Sequence, residues 1–341
     1  DSIAADFGPH DPAGIDLATA LTLMPETRRL RWPVGRFSSY SNVGYGVAGR
    51  VLEVAGGAAY EDLMRREVFA PLGMTTATLR QTPEVVDYLV HGYDTDGITP
   101  LPYWHMLYRS FGAITINPGD MAPLIRLFLN RGRHAGRQLL APASIRRIET
   151  PATGLAARSG LVYGYGLGNY ASYYRGHLFH GHGGDADGYL AKFGYSHALG
   201  RGYFLVLTAF NKRAQQAMHD AVRDFVIGGT VAPAKPARYS HPDLDRFTGR
   251  FRPVTRRFGS WPPADDSGSI DVMLRGGRLY TRAGSGRLSE LVPVNAMHFR
   301  RRNQAGATYA FIHEGGKLYL LGDLGNFVRA PVAMAAPAHA R

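Results

Sequence analysis

Apolar residues recur at helical spacing in two long stretches. Val43, Val47, Val51 and Val54 fall along one face of a helix predicted from Val43 to about Ala55, with Asn42 as its cap and Gly56-Gly57 as its stop. Ala214, Ala217, Met218, Ala221, Val222 and Phe225 give the clearest helical face, over residues 213–227. Shorter helices are predicted over 14–25, ended before Pro25, and from Tyr60 to about Phe69, ended by Pro71 and Gly73. Two more run from Met121 to about Asn130, opened by Pro118-Gly119-Asp120, and from Pro142 to about Thr150. A Gly/Tyr-rich stretch, Tyr163 to Tyr174, opens a strand-rich region. In it, Tyr189–Tyr195 and Tyr203–Phe210 read as a hairpin turning near Gly200 to Gly202.

The pattern changes at Val231-Ala-Pro-Ala-Lys-Pro-Ala, which reads as a linker. Beyond it, short alternating segments with Gly-Gly turns at 276–277 and 315–316 predict an all-β module. The expected organisation is an α/β domain over residues 1–229, a linker over 230–242, a small all-β domain over 243–330 and an Ala/Pro-rich, disordered tail over 331–341.

Composition narrows the classes. The chain has 341 residues with 45% hydrophobic and 19% charged, enough to bury a core in each of two domains. It contains no cysteine, so disulfides and thiolate chemistry are excluded, which fits a periplasmic, secreted or cytoplasmic bacterial protein. No apolar run approaches the roughly 18 residues of a membrane span. The net charge is +12, yet of the 39 basic residues only Lys192, Lys212, Lys235 and Lys317 are lysine. The arginines are scattered, with small clusters at Arg28–Arg29, Arg256–Arg257 and Arg300–Arg302, and no nucleic-acid-binding signature accompanies them. A solvated basic surface is expected rather than a nucleic-acid partner.

Two segments carry candidate chemistry. In Phe37-Ser38-Ser39-Tyr40-Ser41-Asn42, the Tyr40 phenol can shuttle a proton, and the Asn42 amide can both donate to and accept from a substrate. The plainer reading is a buried tyrosine followed by a helix cap. In His180-Gly181-His182-Gly183-Gly184-Asp185, expected just before a strand, the glycines admit a ligand close to the backbone. A backbone N–H there can stabilise an oxyanion, and His182 can bond a substrate or move a proton. The plainer reading is a glycine turn with a solvent histidine. His180 and His182 also form an H-x-H pair with Asp185 nearby, but no histidine follows the aspartate, and His91, His105 and His177 are not at ligand spacing. A triad of Ser39 or Ser41 with His182 and Asp187 is a further arrangement, without a G-x-S-x-G elbow to support it.

Taken together and in order, these segments resemble the penicillin-recognising serine hydrolases, which include class C β-lactamases, D,D-peptidases, D-aminopeptidases and related esterases. The resemblance rests on Pro33-Val-Gly-Arg-Phe-Ser-Ser-Tyr-Ser-Asn-Val-Gly-Tyr and on Phe69-Ala-Pro-Leu-Gly-Met. It rests also on Gly112-Ala-Ile with Gly119-Asp-Met, and on Gly181-His-Gly-Gly through Gly188-Tyr to Asn211. It spans roughly residues 14–228. It implies an antiparallel sheet flanked by helices, with Tyr40 as proton shuttle, Asn42 as substrate-orienting amide and His182-Gly183-Gly184 in place of the family's Lys-Thr-Gly. The backbone N–H of Asp185 would serve the oxyanion, and no metal or organic cofactor is implied. Histidine where the β-lactamases have lysine shifts the expected substrate from carboxylate-bearing lactams toward esters or D-amino-acid peptides and amides. Leu244-Asp-Arg-Phe-Thr-Gly-Arg-Phe resembles the opening strand of the small β-barrel appended to some family members.

One family element has no counterpart. The nucleophile is a serine followed one helical turn later by a lysine, and no Ser-x-x-Lys occurs anywhere here: Tyr189, Ala209, Ala232 and Glu314 stand three residues before the four lysines. Ser144-Ile-Arg-Arg is the nearest shape, but arginine is a poor base. The expectation is a downstream piece of a β-lactamase-like domain whose N-terminal portion, with the nucleophile, lies outside this chain. The alternatives are a partner chain carrying the serine, or an inactive peptide- or peptidoglycan-binding homologue.

Overall fold

The computed structural model describes residues 6–8, 15–23, 25–80, 82–103, 105–255, 268–323 and 325–331. The expected tail, beyond Pro331, and the cluster Arg256–Arg257 lie outside them.

Five antiparallel strands form the central sheet: β1 (Gly164–Tyr165), β2 (Tyr170–Tyr174), β3 (His177–Ala186), β4 (Tyr189–Ser196) and β5 (Arg201–Leu207), in sequential order. The β4–β5 connection turns at His197–Gly200, with Gly200 at φ +62°, so Gly202 lies within β5 rather than in the turn. The His-Gly segment departs from expectation. It is neither a turn nor a lead-in but the body of β3. Gly181 is needed because a Cβ there would stand 2.1 Å from the Phe193 carbonyl oxygen, a backbone atom, whereas one at Gly183 would meet only the flexible end of the Lys192 side chain. β2 pairs with β3 only as far as Gly181, so from His182 onward one backbone edge of β3 has no strand partner among the described residues.

The helices are α1 (Leu17–Leu23), α2 (Asn42–Gly56), α3 (Tyr60–Met64), α4 (Ala70–Leu72), α5 (Met121–Leu129), α6 (Pro142–Glu149), α7 (Leu155–Arg158) and α8 (Lys212–Ile227). Pro71 does not end the α3 helix as expected. A wide turn over Arg65–Phe69, in which Ala70 N–H reaches the Arg65 carbonyl, carries the chain past it to Gly73. The wider ladder accommodates a residue that has no N–H of its own.

α2 is capped by Ser41, not Asn42: the Ser41 hydroxyl accepts from Gly44 N–H at 3.0 Å, which leaves Asn42 as the first helical residue. Its buried face is not the valine stripe. Val43 is buried, but so are Gly46, Gly49 and Glu53, because the glycines let Tyr108 and Ser110 approach the helix backbone. Val47, Val51 and Val54 are exposed. α8 repeats this inversion. Gln215, Val226 and Ile227 are buried, whereas Met218 and Phe225, on the predicted apolar face, are exposed, Phe225 at 85%.

The C-terminal module is a closed antiparallel barrel of eight strands. They are β6 (Gly249–Pro253), β7 (Ile270–Arg275), β8 (Arg278–Ala283), β9 (Ser289–Pro293), β10 (His298–Arg301), β11 (Tyr309–Glu314), β12 (Lys317–Gly322) and β13 (Gly325–Arg329). Phe247, Phe251, Phe299, Phe311 and Phe327 fill it with Ile270, Val272, Leu279, Leu291, Leu318 and Leu320. Phe247 stacks on Phe311 with ring centroids 4.5 Å apart. The interior is therefore a packed core, as in other small barrels. The segment before it is pinned to the barrel. Arg300 donates to the Pro236 carbonyl, Tyr239 N–H to the Pro293 carbonyl, and Arg238 pairs with Glu290.

Candidate active site

A cleft of about 1180 Å³ lies between the Phe37–Asn42 loop, the start of α2, the Tyr163–Ala171 segment, His182 and the barrel turn between β12 and β13. The loop places Tyr40 there because Ser41 must turn into an extended conformation (φ −146°) to cap α2. Tyr40 and Asn42 then point to the same space, one just before the helix and one in its first turn. The Tyr40 ring faces the His182 ring with centroids 6.2 Å apart and planes 27° apart. Residues more than a hundred positions apart in sequence thus meet at one site.

Two tyrosines complete the wall around the histidine. Tyr165 lies 6.0 Å from Tyr40 and 5.9 Å from His182, and Tyr170 lies 5.7 Å from His182. Burial pushes the His182 pKa below its ordinary value, with the charge of Lys192 adding to the effect. The imidazole is therefore neutral near pH 7. Its Nδ1 lies 2.6 Å from the Gly183 carbonyl oxygen, which can only accept, so Nδ1 carries the proton and Nε2 is the free acceptor. The other charged side chains on the cleft are already matched: Arg36 pairs with Glu314, and Asp323 takes Arg301 at 3.0 Å and the Tyr163 hydroxyl at 2.6 Å. The cleft presents hydroxyls, aromatic faces and a neutral imidazole rather than an unmatched charge.

The remaining predicted residues are placed less centrally. Gly183, Gly184 and Asp185 continue β3 past the cleft opposite Lys192, Ala191 and Leu190 of β4, and they do not line the cleft. The Asp185 carboxylate pairs with Lys212 at 2.5 Å, both half-exposed. The H-x-H pair diverges in environment. His180 sits deeper, stacked on Tyr195 at 5.8 Å and 6.1 Å from His197. Among the described residues no three His, Asp or Glu side chains gather as metal ligands would. The Ser-His-Asp alternative does not assemble either. Ser41 is committed to its cap, and His182 Nδ1 is bonded to backbone rather than to Asp187.

A different serine–histidine contact went unread in the sequence: Ser159 Oγ lies 3.0 Å from His298 Nε2. Asn295 Oδ1 accepts from Met297 N–H and His298 N–H, so its Nδ2 donates to His298 Nδ1. The proton is then on Nε2, which donates to Ser159, and that serine is not activated. Tyr165, Tyr170, Asp323 and Asn326 were also missed as site residues. The Gly/Tyr-rich stretch signalled strands but not a wall, and nothing local marks a barrel turn as part of a distant cleft.

An antiparallel sheet flanked by helices thus carries an aromatic, hydroxyl-rich cleft, and a closed barrel follows it. A profile of the Beta-lactamase family matches residues 4–226, and the chain belongs to that family. Penicillin-binding protein 4 of Amycolatopsis lactamdurans is 28% identical over 232 residues, covering 62% of this chain and 59% of that protein; the chain thus spans well under two thirds of this relative's length. The octameric penicillin-binding protein homologue from Pyrococcus abyssi superposes with a TM-score of 0.50 at 19% identity, over 92% of this chain and 70% of that one. The D-amino acid amidase from Ochrobactrum anthropi SV3 gives 0.51 at 17% identity, over 65% of this chain and 71% of that one. At these identities the superpositions speak to fold alone.

Proposed function

We propose that this chain supplies the downstream half of an acyl-transfer site that hydrolyses a neutral ester or a D-amino-acid amide through a serine ester. In this reading the Ser-x-x-Lys nucleophile comes from outside the chain. The observation that carries it is the meeting of Tyr40, Asn42 and neutral His182 at one cleft beside the unpaired edge of β3. Tyr40 passes the proton between nucleophile and leaving group, Asn42 orients the substrate amide, and His182 Nε2 accepts a substrate N–H or O–H. The free backbone edge from His182 to Asp185 holds an extended substrate and offers an N–H to the oxyanion.

Two further features support an external nucleophile. The chain has no Ser-x-x-Lys, and the apolar faces of α2 and α8 lie uncovered while β5, against which α8 packs, pairs only with β4 among the described residues. A segment carrying the serine on a helix against α2, with strands added to β5, would cover both.

The lack of an unmatched cation on the cleft favours neutral substrates over carboxylate-bearing lactams. The test uses the longer product of the same reading frame against an aryl ester, a D-amino-acid amide and a cephalosporin. Ester or amide turnover well above cephalosporin turnover is expected. Cephalosporin preference would replace this reading with a β-lactamase or D,D-carboxypeptidase. Absence of turnover on all three would favour an inactive peptide binder.

A further inference from the structure

The barrel is not merely appended to the cleft-bearing domain. Its β12–β13 turn contributes Gly322, Asp323, Gly325 and Asn326 to the cleft wall, and it grips the loop that leads to Tyr40 at three consecutive residues. Arg36 pairs with Glu314 of β11. Phe37 packs with Tyr319 of β12, ring centroids 5.6 Å apart, in a cluster with Leu155, Leu321 and Val328. The Ser38 carbonyl accepts from Asn326 Nδ2 at 2.7 Å. Leu155, in the same cluster, also donates its N–H to the Arg36 carbonyl at 2.8 Å.

Asn326 holds Ser38, the gripped residue nearest in sequence to Tyr40. It is 9% exposed. Its second amide hydrogen goes to Thr255 Oγ1 at 2.9 Å, and its backbone carbonyl accepts from Val254 N–H at 2.8 Å, so side chain and backbone are both held by the segment that follows β6. Residues 37–41 belong to no helix or strand, so their path depends on such tertiary bonds. A carbonyl two residues before Tyr40 held by a rigid donor restricts how far the phenol can wander from His182.

We propose that Asn326 is a positioning residue for the cleft: through the Ser38 carbonyl it fixes the backbone that presents Tyr40, which makes the barrel a working part of the site. This rests on reading Tyr40 as a site residue. The grip itself can be tested on the chain as it stands, without turnover, so a failed activity reading and a failed grip are separable.

The experiment combines backbone hydrogen exchange with fluorine NMR of protein carrying 3-fluorotyrosine, the Tyr40 resonance being assigned by its loss in Tyr40→Phe. Asn326→Ala should speed exchange across residues 36–42 by up to roughly tenfold, the size of one lost hydrogen bond, and should shift or broaden the Tyr40 resonance. Exchange in β3, β4 and β5 should be unchanged. Thr255→Val removes the other acceptor but leaves the Ser38 bond, and it should leave both readouts as in the parent chain. Asn326→Asp keeps the shape and loses the donor, and it should reproduce the Asn326→Ala result even if the alanine variant fails to fold. An unmoved Tyr40 resonance and unchanged exchange over 36–42 in Asn326→Asp, or an equal effect of Thr255→Val, would overturn the proposal.

Discussion

The two halves of the molecule treat their apolar residues in opposite ways. In the barrel, sequence pattern and burial agree. Ile270 and Val272, two apart on β7, are buried in the interior cluster, and Val272 stands opposite the buried Thr281 of β8. The barrel closes on itself around its interior cluster, and its outward Tyr319 and Leu321 are covered by Phe37 and Leu155 of the first domain. In the first domain, the two long helices whose apolar faces stand out in the sequence turn those faces outward. Val47, Val51 and Val54 on α2 and Phe225 on α8 are exposed, and small or polar residues take the inner positions. The lesson is that an apolar pattern records what a face is built to meet. Where the described structure does not supply the meeting surface, pattern and burial disagree.

That contrast can be broken by substitution. Phe251→Ala in the barrel empties a fully buried position and should cost about 3–5 kcal/mol, seen as a lowered unfolding midpoint. A cost near zero would mean the barrel core is not the self-sufficient unit described. Tyr40→Phe in the assembled enzyme should lower kcat by a factor of about 10² to 10⁴ with the unfolding midpoint intact. An unchanged rate would remove Tyr40 from the chemistry.

Acidification sharpens the comparison on the side of the first domain. His219 is held against Tyr203 at 2.6 Å, and burial, with Arg223 and Lys192 nearby, depresses its pKa to about 4. His180 and His182 are lowered for the same main reason, burial. Between the ordinary histidine pKa of about 6.5 and these folded values, the unfolded chain binds more protons. Stability should therefore be fully present above about pH 6.5 and should fall as pH drops from there toward the His219 value of about 4. His219→Gln should flatten that fall in a series of denaturant melts, and an identical pH dependence would refute the assignment. The smallest effect is expected on the uncovered faces. Val51→Ser and Phe225→Ser should each change the stability of this chain by no more than about 0.5 kcal/mol, while weakening its association with any segment that covers them. A large loss in the chain alone would show that those side chains are already packed.

The legible part of this protein was local. The main helices, the β4–β5 hairpin and the β module can be read from periodicity and Gly/Pro punctuation, and the Tyr40–Asn42 and His182 segments that line the cleft stand out by composition. What could not be read depends on tertiary partners. Ser41 rather than Asn42 caps α2 because the choice between adjacent capping residues is settled by the loop's path. The His-Gly run is a strand because it pairs with β4, from Gly181 opposite Gly194 to Asp185 opposite Leu190, with Gly181 fitting against the Phe193 carbonyl, which only pairing reveals. Tyr165, Tyr170 and Asn326 join the cleft through long-range packing, which leaves no mark in the local pattern.

The central claim is that a serine ester forms at this cleft on a serine this chain does not contain. A fluorophosphonate probe tests it most directly. A form of the protein that carries a Ser-x-x-Lys beyond these 341 residues should be labelled on that serine, and this chain alone should stay unlabelled. Covalent labelling of this chain by itself, at any of its own serines, would contradict the account.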